Sequence, residues 1–78
     1  MKRLYLYSRP GCHLCEELEA ALAPLIAGRA VVDVVDISDD PGLERRYGWR
    51  IPVLTDGERE VSEFPLDRDS LLRHLAAS

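Results

Sequence analysis

The sequence predicts an α/β domain in which a four-stranded mixed sheet is flanked by three helices, in the order β-α-β-α-β-β-α. Two strand-like runs, residues 3–8 and 30–37, are separated by a segment with helical periodicity. Asp56-Gly57 then joins two further short strands and is a strong hairpin signal. Because the β-α-β start requires a crossover, we expect the first two strands to be parallel and the hairpin to add two antiparallel strands.

The first strand and the helix after it have the clearest periodicity. In residues 3–8 leucines alternate with tyrosines, and since both can be buried, we expect a strand with both faces covered. The helix begins at Cys12, and Pro24 inside it predicts a kink or a loosened last turn before Gly28 ends the helix. The apolar residues that recur at helical spacing are Leu14, Leu18, Leu22, Leu25 and Ile26.

The middle of the chain predicts a strand and a short helix. Residues 30–37 are β-branched and nearly continuous, which indicates a parallel strand, and Asp33 in its middle indicates an edge position. The pair Asp40-Pro41 is the N-cap and N1 signature of a helix that extends to residue 47. A glycine follows and ends it.

The last third predicts the hairpin and a final helix. Residues 51–54 form a short strand with Pro52 near its start, and the charged residues of 59–64 suit an outer strand. Asp67 caps an amphipathic helix whose apolar residues are Leu71, Leu72 and Leu75. Since no repeat, low-complexity tract or linker interrupts the chain, we expect one domain spanning residues 1–78.

The composition excludes several function classes. The chain has 78 residues and a net charge of −4, which is the wrong sign for coating nucleic acid. Its apolar runs are too short to cross a bilayer, and the run at residues 4–7 is too short for a signal peptide. We therefore expect a cytoplasmic protein, in which two close cysteines are more often catalytic or metal-binding than structural.

The chemistry predicted from the residues lies in the Cys12-His13-Leu14-Cys15 segment, at the turn from the first strand into the first helix. The unpaired N–H groups and the positive end of the helix dipole favour a Cys12 thiolate, the reactive form of cysteine. Cys15 would turn inward, with its sulfur close enough to bridge to Cys12, while Arg9 adds a positive charge to the loop. The alternative is an incidental cysteine pair without a redox role.

Residues 7–15, Tyr-Ser-Arg-Pro-Gly-Cys-His-Leu-Cys, resemble the active-site segment of glutaredoxins, in particular of small bacterial glutaredoxin-like proteins, and the similarity in element order covers almost the whole chain. The resemblance implies a thioredoxin-like fold and thiol–disulfide exchange, with Cys12 as nucleophile and Cys15 as resolving cysteine. Ile51-Pro52 falls where such proteins place a hydrophobic residue and a cis-proline facing the cysteines. This position implies that substrate backbone pairs with Ile51.

The resemblance also assigns residues that contact substrate. Arg9 matches the basic residue before the cysteines, and Asp67 matches the acidic position that follows the pair next to the glutathione carboxylate, which makes it a candidate glutathione-binding residue. The chain departs from common glutaredoxins at Phe64-Pro65, which replaces a Gly-Gly pair, and at the residues between the cysteines. The predicted substrate-contacting residues are Arg9, His13, Leu14, Ile51 and Pro52.

Several residues have two interpretations. His13 either tunes the redox poise of the cysteines or is a solvent-facing residue at the helix start. Trp49 and Tyr47 either form an apolar rim for substrate or fill the core, with at least one in the core. The glutamates at positions 58, 60 and 63 are expected on a solvated strand face; in the alternative interpretation they rim the site and favour a basic partner. We expect His74 on the exposed last turn of the final helix.

The sequence thus predicts a monomeric thiol–disulfide oxidoreductase acting on protein disulfides or glutathione mixed disulfides. We expect no metal and no bound cofactor, and glutathione is a candidate co-substrate. The expected partners are a disulfide substrate and an unidentified upstream reductase, with no nucleic acid and no membrane. An iron–sulfur cluster bridging two copies is disfavoured by Pro52, because a proline beside the cysteines blocks that approach. The alternative function is a non-catalytic thioredoxin-fold module that binds a partner through the groove at Pro52.

Overall fold

The computed structural model describes residues 1–77 and contains the seven elements in the predicted order. They are β1 (Lys2–Ser8), α1 (His13–Ile26), β2 (Ala30–Asp36), α2 (Pro41–Tyr47), β3 (Val53–Thr55), β4 (Glu60–Ser62) and α3 (Arg68–Ala76). No helix within residues 1–77 is long and apolar enough to cross a membrane.

The sheet has the strand order β2-β1-β3-β4, with β1 and β2 parallel and the two other pairs antiparallel. This is the thioredoxin-like fold implied by the resemblance, and both predicted edge strands, β2 and β4, lie at the edges. Tyr7 pairs with Val53, and Leu54 pairs with Ser62. Three segments therefore meet at one end of the sheet, which we call the cysteine end: residues 9–12, 48–52 and 63–67.

Side chains pack on both faces of the sheet. On one face, α1 and α3 cover the leucines of β1 through a cluster of Leu4, Leu6, Leu18, Leu22, Ile26, Ala30, Leu54 and Leu71. On the other face, Ile37, Tyr47 and Val53 form a second cluster. The ring of Tyr7 stacks on that of Tyr47, with the centroids 4.3 Å apart. The prediction that both faces of β1 are covered is confirmed.

The structure corrects the predicted pattern of α1. Leu14 is 45% exposed, whereas Cys15 is buried, so the buried face runs through positions 15, 18, 22 and 26. Leu14 precedes the first residue of this face and therefore lies beside it. The helix also continues through Pro24 to Ile26, so of the two predicted alternatives, a kink or a loosened last turn, the loosened turn is wrong.

Strand ends and one histidine also differ from the predictions. The strands β3 and β4 have three residues each, shorter than the runs 51–54 and 59–64. Strand β3 begins only after Pro52, which cannot donate to the ladder. His74 is half-buried rather than exposed, because its ring lies against the hairpin, with Nδ1 4.0 Å from Asp56 Oδ2.

Candidate functional site

Cys12 is the N-cap residue of α1, and its sulfur accepts the hydrogen bond that a serine or aspartate oxygen accepts at the start of other helices. Its Sγ accepts the backbone N–H of Cys15 at 3.1 Å. Upstream, the N–H of Cys12 donates to the carbonyl of Arg9 at 3.2 Å and closes a turn that includes Gly11 with a φ of 78°. Strand β1 and this turn together fix the sulfur at the positive end of the helix.

The two cysteines form a disulfide and differ in accessibility. Their Cα atoms are 5.2 Å apart. Cys15 is 2% exposed and packs inward, whereas Cys12 is half-buried. Of the two cysteines, Cys12 is therefore the one that is open to solvent. Within residues 1–77 no cluster of three or more His, Cys, Asp or Glu side chains is arranged to hold a metal ion.

Arg9 has a partner that the sequence did not reveal. Its guanidinium forms an ion pair with Glu44 of α2, which links the loop before Cys12 to that helix. From the sequence we expected this positive charge near the Cys12 thiolate, but in the structure the guanidinium is paired with the carboxylate of Glu44. Glu44 lies 35 positions from Arg9, and no local pattern indicates the contact.

The segment before β3 contains the cis-proline that the resemblance implied. The Ile51–Pro52 peptide bond is cis, Pro52 is buried, and Ile51 is partly exposed. Pairing of Tyr7 with Val53 places Ile51 and Pro52 beside the end of β1. The N–H of Ile51 already donates to the carbonyl of Tyr47 at 3.0 Å, so a substrate strand that pairs with Ile51 would use its carbonyl group.

Arg50 ties this segment to β4. Its guanidinium binds both carboxylate oxygens of Glu60, and its Nε lies 3.3 Å from Glu63 Oε1. The hydrogen bonds from Arg50 lower the pKa of Glu60, and those carboxylates raise the pKa of Arg50. The predicted solvated glutamate face is confirmed, since Glu58, Glu60 and Glu63 are exposed. Two of these three glutamates, Glu60 and Glu63, are paired with Arg50.

The segment after β4 is held by its own hydrogen bonds. Asp67 caps α3, because its Oδ1 accepts the N–H of Ser70 at 3.0 Å. The N–H of Asp67 donates to Ser62 Oγ at 2.8 Å. The Phe64–Pro65 peptide bond is cis, and Phe64 is 39% exposed. The candidate glutathione-binding residue thus lies at the cysteine end and serves there as a helix cap.

The remaining predicted residues divide between core and surface. Tyr47 is buried, as expected of at least one of the two aromatic residues, whereas Trp49 is fully exposed. Trp49 borders a cavity of about 380 Å³, whose other lining residues are Arg9, Glu44, Arg45 and Gly48. The ring of His13 is largely exposed, with Nε2 4.0 Å from Glu17 Oε2.

Comparisons with known proteins extend over almost the whole chain. Residues 3–76 match the sequence model of a family described as Glutaredoxin-like domain (DUF836). Among solved structures, the X-ray structure of the Northeast Structural Genomics target protein XcR50 from X. campestris is 42% identical to this chain. Its match covers 96% of this chain and 97% of that chain, with a TM-score of 0.73. No curated protein matches the chain at a significant level.

Proposed function

The chain belongs to the family of glutaredoxin-like domains, and on this premise we propose that it is a thiol–disulfide oxidoreductase that uses Cys12 and Cys15 in a dithiol mechanism. The observation that carries the proposal is the unequal exposure of the two cysteines at one helix start. Cys12 is accessible and accepts a backbone N–H, whereas Cys15 is 2% exposed directly behind it. This asymmetry suits an attacking cysteine followed by a resolving one.

The proposed reaction transfers two electrons to the substrate. The Cys12 thiolate attacks one sulfur of a substrate disulfide, forms a mixed disulfide and releases the other substrate sulfur as a thiolate, which takes up a proton. The deprotonated Cys15 then attacks the Cys12 sulfur, releases the second substrate thiolate and closes the Cys12–Cys15 disulfide. A thiol reductant returns two electrons and restores the dithiol. A reducing cytosol supplies such reductants and is the proposed location.

The helix start supplies the electrostatic support for the thiolate. The N–H of Cys15 lies 3.1 Å from Cys12 Sγ, and a hydrogen bond to the charged form of an acid lowers its pKa. Because Arg9 is paired with Glu44, we assign the stabilisation of the thiolate to the N–H groups and the dipole of α1. Ile51 and Pro52 would orient the substrate strand beside Cys12.

The test compares the wild type with Cys12→Ser and Cys15→Ser in the reduction of a protein disulfide, with dithiothreitol or glutathione as reductant. We expect Cys12→Ser to lose turnover. Cys15→Ser should accumulate a mixed disulfide that mass spectrometry detects, because the resolving step is absent. Reduced wild type should react with iodoacetamide at pH 7 faster than free cysteine does, and through Cys12 first.

Two results would contradict the proposal. Equal turnover by the wild type and Cys12→Ser would show that Cys12 is not the nucleophile. A wild type that shows no turnover with either reductant, and whose cysteines react no faster than free cysteine, would indicate a binding module instead.

A further inference from the structure

A continuous series of contacts joins Glu44 of α2 to the sulfur of Cys12. The carboxylate of Glu44 pairs with the guanidinium of Arg9. The carbonyl of Arg9 accepts the N–H of Cys12 at 3.2 Å, and the Sγ of Cys12 accepts the N–H of Cys15 at 3.1 Å. Since each of these contacts is direct, removal of the Glu44 carboxylate changes the restraint on the turn that leads to Cys12.

Helix α2 holds its end of this series in place, because both the start and the end of the helix are fixed. The carboxylate of Asp40 caps its start. At its end Tyr47 is buried, and its ring stacks on that of Tyr7 in β1, with the centroids 4.3 Å apart. Tyr7 lies two positions before Arg9, so α2 contacts β1 immediately before the turn.

The turn of residues 9–12 has little other support. Pro10 and Gly11 are exposed, and a Cβ atom added at Gly11 would meet no atom within 4 Å outside its chain neighbours. Among residues 1–77, the ion pair with Glu44 is the only hydrogen bond or salt bridge from residues 9–11 to another element. We therefore expect the position of this turn to depend on that pair.

Pairing with Glu44 has two effects on the Cys12 thiolate, and they have opposite signs. It neutralises the positive charge of Arg9, which would otherwise favour the thiolate. It also holds the turn, and so keeps the sulfur at the N–H of Cys15, which favours the thiolate. The side chain of Arg9 is 38% exposed, so water and salt weaken the first effect. The hydrogen bond is a direct contact, and the second effect is the larger.

We infer that Glu44 is a positioning residue for the nucleophile, which holds Arg9 and through the turn keeps the sulfur of Cys12 at the start of α1. Arg9 then contributes as the other half of this ion pair and not through its charge on the thiolate. The inference rests on the proposed function, in which Cys12 is the nucleophile, and adds to it a residue of another helix that touches neither sulfur nor substrate.

The test follows the alkylation of the reduced Cys15→Ser protein by iodoacetamide from about pH 5 to about pH 9, with Cys12 as the only thiol. In this background, Glu44→Gln and Arg9→Gln should each lower the rate at pH 7 about two- to fivefold, the ratio that a partly exposed ion pair supplies. Each should also move the midpoint of the pH profile to higher pH, because the sulfur loses part of its hydrogen bond to the N–H of residue 15.

Combined variants separate positioning from a direct effect of charge. Arg9→Gln with Glu44→Gln should match either single change, since both remove the same contact. Exchange of the two charges, Arg9→Glu with Glu44→Arg, should restore most of the rate, although it places a negative charge on the turn. The matched control is Asp33→Asn, which breaks an exposed ion pair with Arg3 near the start of β1 and should leave the profile unchanged. Thermal denaturation of each variant excludes unfolding as the cause.

A direct effect of the Arg9 charge predicts the opposite results. Glu44→Gln would then raise the alkylation rate, because the guanidinium is released, and the exchanged pair would react slowly. Either result, or a Glu44→Gln profile equal to that of the Cys15→Ser protein, overturns the inference. Turnover is a separate readout: if the wild type reduces no disulfide, the proposed function fails, and the alkylation rates still decide whether Glu44 positions Cys12.

Discussion

Gly48 is the residue whose small size the site depends on most. It directly follows α2, and the Arg9–Glu44 ion pair lies against it. A Cβ atom at this position would lie 2.5 Å from the carbonyl oxygen of Glu44 and 3.4 Å from a guanidinium nitrogen of Arg9. The backbone oxygen cannot move without disturbing the end of α2, so the link between that helix and the active-site loop requires glycine here.

Gly48→Ala should therefore lower the free energy of unfolding by about 1–3 kcal/mol, the usual cost of forcing an extra methyl group into a filled space. Urea denaturation measures the effect. The control is Gly42→Ala in the first turn of α2, where the added Cβ meets only a side-chain oxygen of Asp40, at 3.2 Å. If both variants were as stable as the wild type, the close approach at Gly48 would have no energetic consequence.

At the scale of single residues, the sequence predicts what depends on neighbours in the chain. Cys12 and Cys15 could be placed because their spacing and the strand-to-helix turn are local, and the bridge between them is present. Glu44 could not be predicted as the partner of Arg9, since only the packing of α2 beside the loop brings them together. Leu14 was misplaced because helical spacing does not distinguish it from its neighbour Cys15.

At the scale of elements, helix starts were predicted more accurately than strand ends. Asp40 and Asp67 cap α2 and α3 with their own carboxylates, as their residue type indicates. The ends of β3 and β4 depend instead on where cross-strand pairing stops, which includes a register shift between Leu54 and Thr55. No pattern within either strand encodes that shift.

Pro24 is an element-scale exception, because α1 tolerates it at a cost. The residue lies in the last turn of the helix, on its exposed side, and has no N–H to donate to the preceding turn. Helix α1 keeps its conformation because Leu22 and Ile26 are buried on either side of Pro24. Tertiary packing thus outweighs the local penalty.

Pro24→Ala should raise the free energy of unfolding by about 1–3 kcal/mol, since it restores one hydrogen bond and removes a poor helix former. The matched control is Pro41→Ala at the first position of α2, where proline is favourable, and this change should bring no gain. Urea denaturation measures the free energy of unfolding of both variants. A Pro24→Ala protein no more stable than the wild type would show that the last turn of α1 already accommodates the ring without cost.

At the scale of the whole molecule, stability comes from packing on both faces of the sheet. The Cys12–Cys15 bridge closes a loop of only four residues, so the chain entropy that it removes from the unfolded state is small beside that of a long-loop disulfide. The cysteines are better explained as reagents than as cross-links. The fold must then persist in both redox states through its two apolar clusters.

The charges of the folded chain give it a defined sensitivity to acid. Hydrogen bonds lower the pKa of three carboxyl groups: Asp36, bonded by Ser38; Asp56, bonded by the N–H groups of Arg59 and Glu58; and Glu60, bonded by Arg50. A carboxyl whose pKa is lower in the folded than in the unfolded state stabilises the fold above its unfolded pKa. That contribution is lost as the pH falls through the folded value.

Asp56→Asn tests one of these groups, because asparagine keeps an acceptor for the two N–H groups, 2.7–2.8 Å away, but has no charge for them or for His74, whose Nδ1 lies 4.0 Å from Asp56 Oδ2. We expect the variant to be less stable than the wild type at pH 7, and the difference to shrink below about pH 4, where the unfolded carboxyl becomes protonated. Urea denaturation at pH 7, 5, 4 and 3 measures it. The control for net charge is Glu19→Gln, which removes one charge from an exposed position of α1. Within residues 1–77 the side chain of Glu19 makes no hydrogen bond or ion pair. A stability difference for Asp56→Asn that is independent of pH, or one that Glu19→Gln reproduces, would mean that the turn at Asp56 does not depend on its ionised carboxylate.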